Sequence, residues 1–379
     1  MYYTRFDTRL CEMILVGDEQ GLSHLHLNTG EGKRFFEISD KWTRNDEYFS
    51  YTRIQIEEYL SGIRKRFDIK LNPKGTDFQK KVWYQLCNIP YGMVRTYKDI
   101  AIATGNSKAS RAVGLANSKN PIPLIIPCHR VIGTNGKLTG FAHGLAIKEK
   151  IINYEKIMTL FNLLLSYYGK QDWWPAETHY EMMVGAVLTQ NTTWKNVVKA
   201  LNNFKGSLNP SMIKWISTAD LAEIIRPSGY FNQKAIKLKA LNDWYERYDF
   251  SIDRVRSIDG EKLREELLTI HGVGRETADS ILTYAVGKPY FVVDTYTRRL
   301  FHRLGFDVPA QYDEFRKIIE EAIPKDLYIY NELHALIVRH ATEYCLKSPK
   351  CKGCPLAIQD DMQEEDPENP SVMFCAKRL

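Results

Sequence analysis

Residues 126–131, IPCHRV, set a cysteine between a proline and a His-Arg pair. The thiolate is the nucleophilic form of cysteine, and neighbouring His and Arg favour it. His129 is the adjacent candidate base. Glu155, near the end of the segment GLAIKEKIINYE, is a carboxylate that can orient His129 if the fold brings the two together. That arrangement of nucleophile, base and orienter lets a weak nucleophile act at neutral pH. The plain alternative is a small buried cysteine with no chemistry. A second group lies far downstream. Gly272 and Gly274, in LLTIHGVGRETADS, mark a tight connection between helices whose exposed backbone N–H groups can hold a phosphate. Asp294, in FVVDTYTRR, follows an apolar run. Such a carboxylate can activate water or stabilise positive charge on a sugar as a glycosidic bond breaks, or it can simply cap a helix. A third group is Cys345, Cys351 and Cys354, with Cys375 farther on. In a reducing compartment this crowding reads as metal ligation before disulfides. His24 and His26, on one face of a strand, read as exposed side chains rather than ligands.

These residues need elements to position them. At 379 residues, with 44% apolar and 12% aromatic content, the chain is long for one core and expected to fold into two or three domains. Residues 1 to about 72 mix short alternating runs with a helix around 50–65, a small α/β unit. From about Thr76 to Glu155, short helices are broken by turns. There an apolar run, a Gly-Asn-Ser turn and a second run from Lys108 read as helix-turn-helix. Beyond Lys156 the pattern is helical through Tyr344, and the boundary near 156–160 has no Gly/Ser-rich linker. Residues 360–368 hold six acids and no bases, so the rest of the chain carries +12 against +6 overall. A basic body suits a polyanion such as nucleic acid. No signal peptide and no membrane-length apolar run is seen, so an intracellular protein is expected, cytoplasmic and nucleoid-associated or nuclear.

NPIPLIIPCHRVIG, the preceding RTYKDIA and SRAVGLAN, and the following GLAIKEKIINYE together resemble O6-alkylguanine-DNA alkyltransferases. These proteins move an alkyl group from guanine O6 onto their own cysteine. The match runs over residues 76–156, with the first 70 or so fitting the variable N-terminal domain less clearly. The resemblance implies that Cys128 is the acceptor, His129 its base through a water, and Glu155 the carboxylate steering His129. It implies that Tyr97 crowds the target phosphate, Arg111 fills the vacated stack and Asn120 braces the active turn. The bland readings are a packed Tyr97 and a surface Arg111.

The glycine connection and Asp294, joined to EMMVGAVLTQNTTWKNV and SGYFNQKA, resemble helix-hairpin-helix DNA glycosylases of the endonuclease III superfamily, over residues 160–355. In relatives a Schiff-base lysine sits two residues after the second hairpin glycine; here that position is Glu276. The resemblance therefore implies base removal without strand cleavage, with Asp294 as the catalytic acid. Gln190 and Tyr230 lie where relatives insert side chains beside the flipped base. Cys345, Cys351 and Cys354 fit the superfamily's iron–sulfur loop only in part, being one residue short in the first interval, with 20 residues between Cys354 and Cys375 where five are usual. A [4Fe–4S] cluster on these four is expected, with zinc or no metal as the competitors.

The expected fold class is multidomain. It comprises a small α/β N-terminal domain (1–72), a helical winged-helix-type alkyltransferase domain (73–156) and an all-α helix-hairpin-helix glycosylase domain with a C-terminal cysteine loop (160–379). The expected function is bifunctional DNA repair by a monomer on double-stranded DNA containing damaged bases, with no membrane and no cofactor in the alkyltransferase half. Alkylated purines are the expected glycosylase substrate. Oxidised pyrimidines, U or T mismatches, and a non-catalytic damage-binding regulator are the rivals.

Overall fold

The computed structural model describes residues 1–31 and 36–357. Cys375 and the acidic segment 360–368 lie outside them. The chain divides into two compact units, Met1–Asn162 and Leu163–Glu321 with Lys325–Ala357.

The first unit opens with a four-stranded sheet. Strands Tyr2–Asp7, Glu12–Asp18 and Gly21–Asn28 pair antiparallel, and the short Thr43–Arg44 adds parallel to the first. The middle strand does not alternate, because Met13, Ile14, Leu15 and Val16 are all buried. A strand covered on both faces reads as a continuous apolar run. Helix Ser50–Leu60 packs Ile56, Tyr59 and Leu60 into this core. Each such fully buried side chain is worth roughly 1.5–3 kcal/mol. His26 corrects the sequence reading: it is buried, with its ring against Phe36 at 5.2 Å and against His143 at 5.1 Å, because loop residues cover that face of the strand.

Helix Asp77–Cys87 follows, opened by a capping box between Thr76 and Gln79. A second capping box, Thr96 with Asp99, starts helix Tyr97–Ala103. After the turn at Gly105 (φ +88°) comes helix Ser110–Ser118. It begins two residues later than the sequence suggests, because the Asn106 side chain accepts from the Lys108 N–H and holds that stretch as a turn. The pairs Arg95↔Val131 and Thr96↔Ile132 form a two-residue parallel sheet. It pins the start of the helix pair to the exit of the 3₁₀ turn Cys128–Arg130. Helix Leu145–Tyr168 supplies Glu155.

The second unit is helical. Helix His179–Leu188 is buried on nearly every side, which places it at the centre of the core and delivers Gln190 just beyond its end. Helices Gly260–Thr269 and Arg275–Ser280 form a hairpin through Gly272 and Gly274, and a π-helical turn, Ile281–Val286, continues the second. Gly272 has φ +81°, and a Cβ there would lie 2.4 Å from the Lys237 side chain. Glycine is therefore demanded by both conformation and space. Helix Thr295–Arg303 is capped by Asp294, and Leu327–Glu343 is the last helix described.

Candidate functional sites

Cys128 is buried, at the start of its 3₁₀ turn. Asn120, also buried, donates its amide to Cys128 Sγ at 3.0 Å and to the Ile126 carbonyl at 2.8 Å. Its oxygen accepts from the Ile122 N–H, so one side chain braces the turn on both flanks. His129 Nε2 lies 2.7 Å from Glu155 Oε1. Burial alone would raise the Glu155 carboxyl, but Arg130 and His129 overturn that and hold it well below the usual range. Burial pulls the His129 imidazole below its ordinary value against the attraction of Glu155. A neutral ring facing a carboxylate carries its proton on Nε2, which leaves the lone pair on Nδ1. His129 Nδ1 is buried without a hydrogen-bond partner among the described residues.

Three supports of Glu155 were not singled out in the sequence. Arg130 donates through Nε and Nη2, Tyr59 through its hydroxyl, and Gly92 through its N–H at 3.1 Å. Arg130 had a visible signal, its place beside His129. Tyr59 lies 96 residues from Glu155 and had none. Lys148 is likewise new: its buried ammonium donates to the Val131 and Thr139 carbonyls, and burial pulls it down to about 8. Tyr97 is half-buried, with its hydroxyl donating to the Thr139 carbonyl at 3.1 Å, while Arg111 is exposed on helix Ser110–Ser118.

In the second unit, Asp294 Oδ1 accepts from the Thr297 N–H at 2.7 Å. Its Oδ2 lies 3.6 Å from His334 Nε2. Burial would raise this carboxyl, but His334 and Thr297 bring it below its ordinary value. Desolvation and then the charge of Asp294 push Glu276 up to about 7. More than a third of the Glu276 residue surface still meets solvent. Gln190 donates to the Gly272 carbonyl and to Thr277 Oγ1, both at 3.0 Å, and accepts from Lys237 Nζ at 2.6 Å. It is thus tied to the hairpin. Tyr230 is 71% exposed and sits in the left-handed region (φ 46°) at the start of helix Phe231–Glu246. A non-glycine residue held there projects by constraint.

The sequence reading also passed over Trp173, Trp174 and Trp194. Trp174 lies edge-on to Trp194 at 5.0 Å and 5.6 Å from Tyr284. Trp174, Met182 and Tyr284, together with Ala176, Glu177, Thr178 and His179, line a cavity of about 410 Å³. Adjacent tryptophans in a loop were visible, but nothing local linked them to Tyr284 or Asp294.

Cys345 and Cys354 are buried and Cys351 is half-buried. Cys345 Sγ accepts from Arg303 at 3.0 Å, and Cys354 Sγ lies 3.7 Å from His340 Nε2. Among the described residues no three His, Cys, Asp or Glu side chains converge on a point that could hold an ion. The three described cysteines, as placed, do not fit a cluster.

Residues 1–73 match the family described as 6-O-methylguanine DNA methyltransferase, ribonuclease-like domain, and residues 77–157 its DNA binding domain. Residues 184–325 match the HhH-GPD superfamily of base excision DNA repair proteins. The sequence is 53% identical to the methylated-DNA–protein-cysteine methyltransferase of Methanosarcina acetivorans over 41% of this chain and 98% of that one. It is 48% identical to a Methanocaldococcus jannaschii protein whose name assigns it provisionally as a DNA repair glycosylase, over 54% of this chain and 94% of that one. The chain belongs to both families. It is a bifunctional DNA repair enzyme, joining alkyl transfer to a protein cysteine with glycosylase activity, and its partner is DNA. The solved structure of a Helicobacter pylori 3-methyladenine DNA glycosylase bound to 1,N6-ethenoadenine is 31% identical. It has a TM-score of 0.45 and covers 50% of this chain and 97% of that one. The superfamily of the second half often carries a [4Fe–4S] cluster. Among the described residues, no helix is long and apolar enough to cross a membrane.

Proposed function

We propose that Cys128 takes the alkyl group of O6-alkylguanine in double-stranded DNA, and that Asp294 drives release of an alkylated purine without cutting the strand. Guanine O6 lies inside the duplex, so the nucleotide must first be extruded, at a cost of about a few kcal/mol in lost stacking. Exposed Arg111 fills the gap and Tyr97 crowds the phosphate, both delivered by the helix-turn-helix and its two-residue sheet, a winged-helix-type arrangement. His129 Nδ1 takes the thiol proton through a water while Glu155 holds Nε2–H. The S–C bond forms as the C–O6 bond breaks, and the proton returns to the guanine. The thioether product is not hydrolysed, so each molecule acts once.

In the second half, the N–H groups at Gly272 and Gly274 hold a phosphate, and Tyr230 and Gln190 enter the duplex. Gln190 must first leave its hydrogen bonds to the hairpin. The C1′–N bond breaks with its electron pair leaving on the base, Asp294 stabilises the sugar cation, and water adds at C1′ while its proton passes to the Asp294 carboxylate and on to solvent. The observation that carries the substrate reading is the aromatic cavity of Trp174 and Tyr284, whose Tyr284 reaches Asp294 through His334. Aromatic faces attract cations. N-alkylated purines such as 3-methyladenine and 7-methylguanine are cationic in DNA and leave as neutral bases, so they need no proton donor. Strand cleavage through an imine needs an amine, and Glu276 stands at that position.

We read the protein as an intracellular monomer with domains over 1–72, 73–156 and 160–379. A [4Fe–4S] or zinc site on Cys345, Cys351, Cys354 and Cys375 would require the thiols to draw together, and no step depends on it. The test is base release by Cys128→Ala protein from duplexes with 3-methyladenine, 7-methylguanine, uracil opposite G, or thymine glycol. Release of methylated purines alone is expected. Release of uracil or thymine glycol instead would overturn the substrate, and release of nothing would favour a damage-binding role.

A further inference from the structure

We propose that His334 is a positioning residue of the base-excision site: held by Tyr284 in the tautomer that carries its proton on Nε2, it directs that N–H at Asp294 and keeps the carboxylate ionised and aimed. The inference rests on the reading that Asp294 acts in base release.

Tyr284 belongs to the π-helical turn Ile281–Val286, a local widening of the helix that recurs at functional sites. Its hydroxyl lies 2.5 Å from His334 Nδ1. Burial first, and then the charges of Asp294 and Glu332, push the phenol well above its ordinary value, so it keeps its proton and has one to give to Nδ1. With the hydroxyl as donor Nδ1 accepts, and the ring hydrogen then sits on the other nitrogen. That nitrogen, Nε2, is the one 3.6 Å from Asp294 Oδ2, with the two side chains 7% and 12% exposed. The other carboxylate oxygen takes the Thr297 N–H. The Thr297 N–H thus holds one oxygen of Asp294 by a hydrogen bond, and the His334 imidazole faces the other across 3.6 Å, a gap longer than a hydrogen bond.

The surroundings explain why the carboxylate needs this help. Glu276 faces it from the hairpin, and Glu332 acts on Tyr284 from the same helix as His334. Arg298, one turn along from Asp294, acts on Glu276 with the opposite sign, and the Tyr312 hydroxyl accepts from the Val293 N–H beside it. Neighbouring acids disfavour ionisation, so removing the imidazole should let Asp294 take up a proton at a higher pH. Tyr284 also lines the aromatic cavity, so one phenol touches both the cavity and the group that aims the carboxylate.

The experiment measures single-turnover base release from duplex DNA treated with a methylating agent, across pH, by full-length wild type, His334→Leu, His334→Gln, Tyr284→Phe and Asp294→Asn. Asp294→Asn should be inactive. His334→Leu should move the acid limb of the profile up by about one pH unit, a roughly tenfold loss on the acid side, with alkyl transfer unchanged. His334→Gln, which keeps an N–H donor, should recover most of the loss. Tyr284→Phe, which frees the tautomer, should shift the limb in the same direction by less. A wild-type acid limb in His334→Leu would sink the proposal. If His334→Leu does not fold, a wild-type limb in both His334→Gln and Tyr284→Phe supports nothing but packing and overturns it. Should Asp294→Asn release base like wild type, the reading of Asp294 fails instead.

Discussion

In the function proposed above, Glu276 sets the kind of glycosylase: it stands where an imine-forming amine would be needed, and a carboxylate cannot form an imine with the sugar. Borohydride added during base release should therefore trap no covalent protein–DNA adduct on a denaturing gel; a trapped adduct would mean that another amine serves. The same residue gives a stability signature. Its carboxyl rises from an ordinary 4.5 to about 7 in the folded chain, by desolvation first and Asp294 second. A raised acid favours the folded state below its unfolded value and loses that contribution as pH climbs through the folded one. Glu276→Gln should thus match wild type in denaturant near pH 4 and be slightly more stable at pH 8, the gain being small because solvent reaches the residue. Glu155 has the opposite sign, since its depressed carboxyl supports the fold above the usual carboxylate range and fails only in strong acid. The contact of His129 with Glu155 was legible as a possibility from residue types alone. Its supports were not, because Tyr59 and Gly92 reach Glu155 only through tertiary folding.

At the scale of elements, helix Leu327–Glu343 places Glu332 and His334 two positions apart. His334 faces Asp294, and buried Glu332 accepts the backbone N–H groups of Gln171 at 2.8 Å and Asp172 at 3.0 Å. These N–H groups fix the segment that presents Trp173 and Trp174, so Glu332 holds one wall of the cavity without touching a base. Hydrogen bonds to a charged group contribute about 1.5–3 kcal/mol each. Glu332→Leu should loosen the wall, raising KM for base release severalfold and altering tryptophan fluorescence, while alkyl transfer stays at the wild-type rate. Glu332→Gln, with one acceptor oxygen, should fall between. Unchanged KM and fluorescence in Glu332→Leu would show that the segment holds its own shape. Much of the element pattern could be read in the sequence: the helix near 50–65, the helix-turn-helix, the hairpin and the run of helices beyond it. Where the reading slipped, a physical cause stands behind each case. MILV at 13–16 hid its strand period because both faces are covered, and His26 was placed outside because the residues that cover it come from a distant loop. The aromatic cavity escaped notice since Trp174 and Tyr284 are more than a hundred residues apart.

For the whole molecule, the question is whether two sites on one chain are two machines. Each unit has its own buried core, with Met13, Leu15 and Leu25 in the first and Val187, Trp244 and Leu267 in the second. Every hydrogen bond or ion pair of Cys128, His129, Glu155 or Asp294 described above comes from within the same unit. In the proposed function neither reaction consumes a group that the other supplies: alkyl transfer spends Cys128, and base release spends water. Contacts confined to separate units make substitutions additive. Cys128→Ala should therefore abolish alkyl transfer and leave base release at the wild-type rate, while Asp294→Asn should do the converse. The check is to run both proteins on paired duplexes, one with O6-methylguanine and one with a methylated purine. The DNA-binding term will be common to both reactions, because it rests on Lys and Arg meeting phosphates and falls as salt rises. Comparing the variants at one ionic strength separates that shared term from the chemistry. If either single substitution removed both activities without unfolding the protein, a step must be shared, and the chain would be one machine with two outlets.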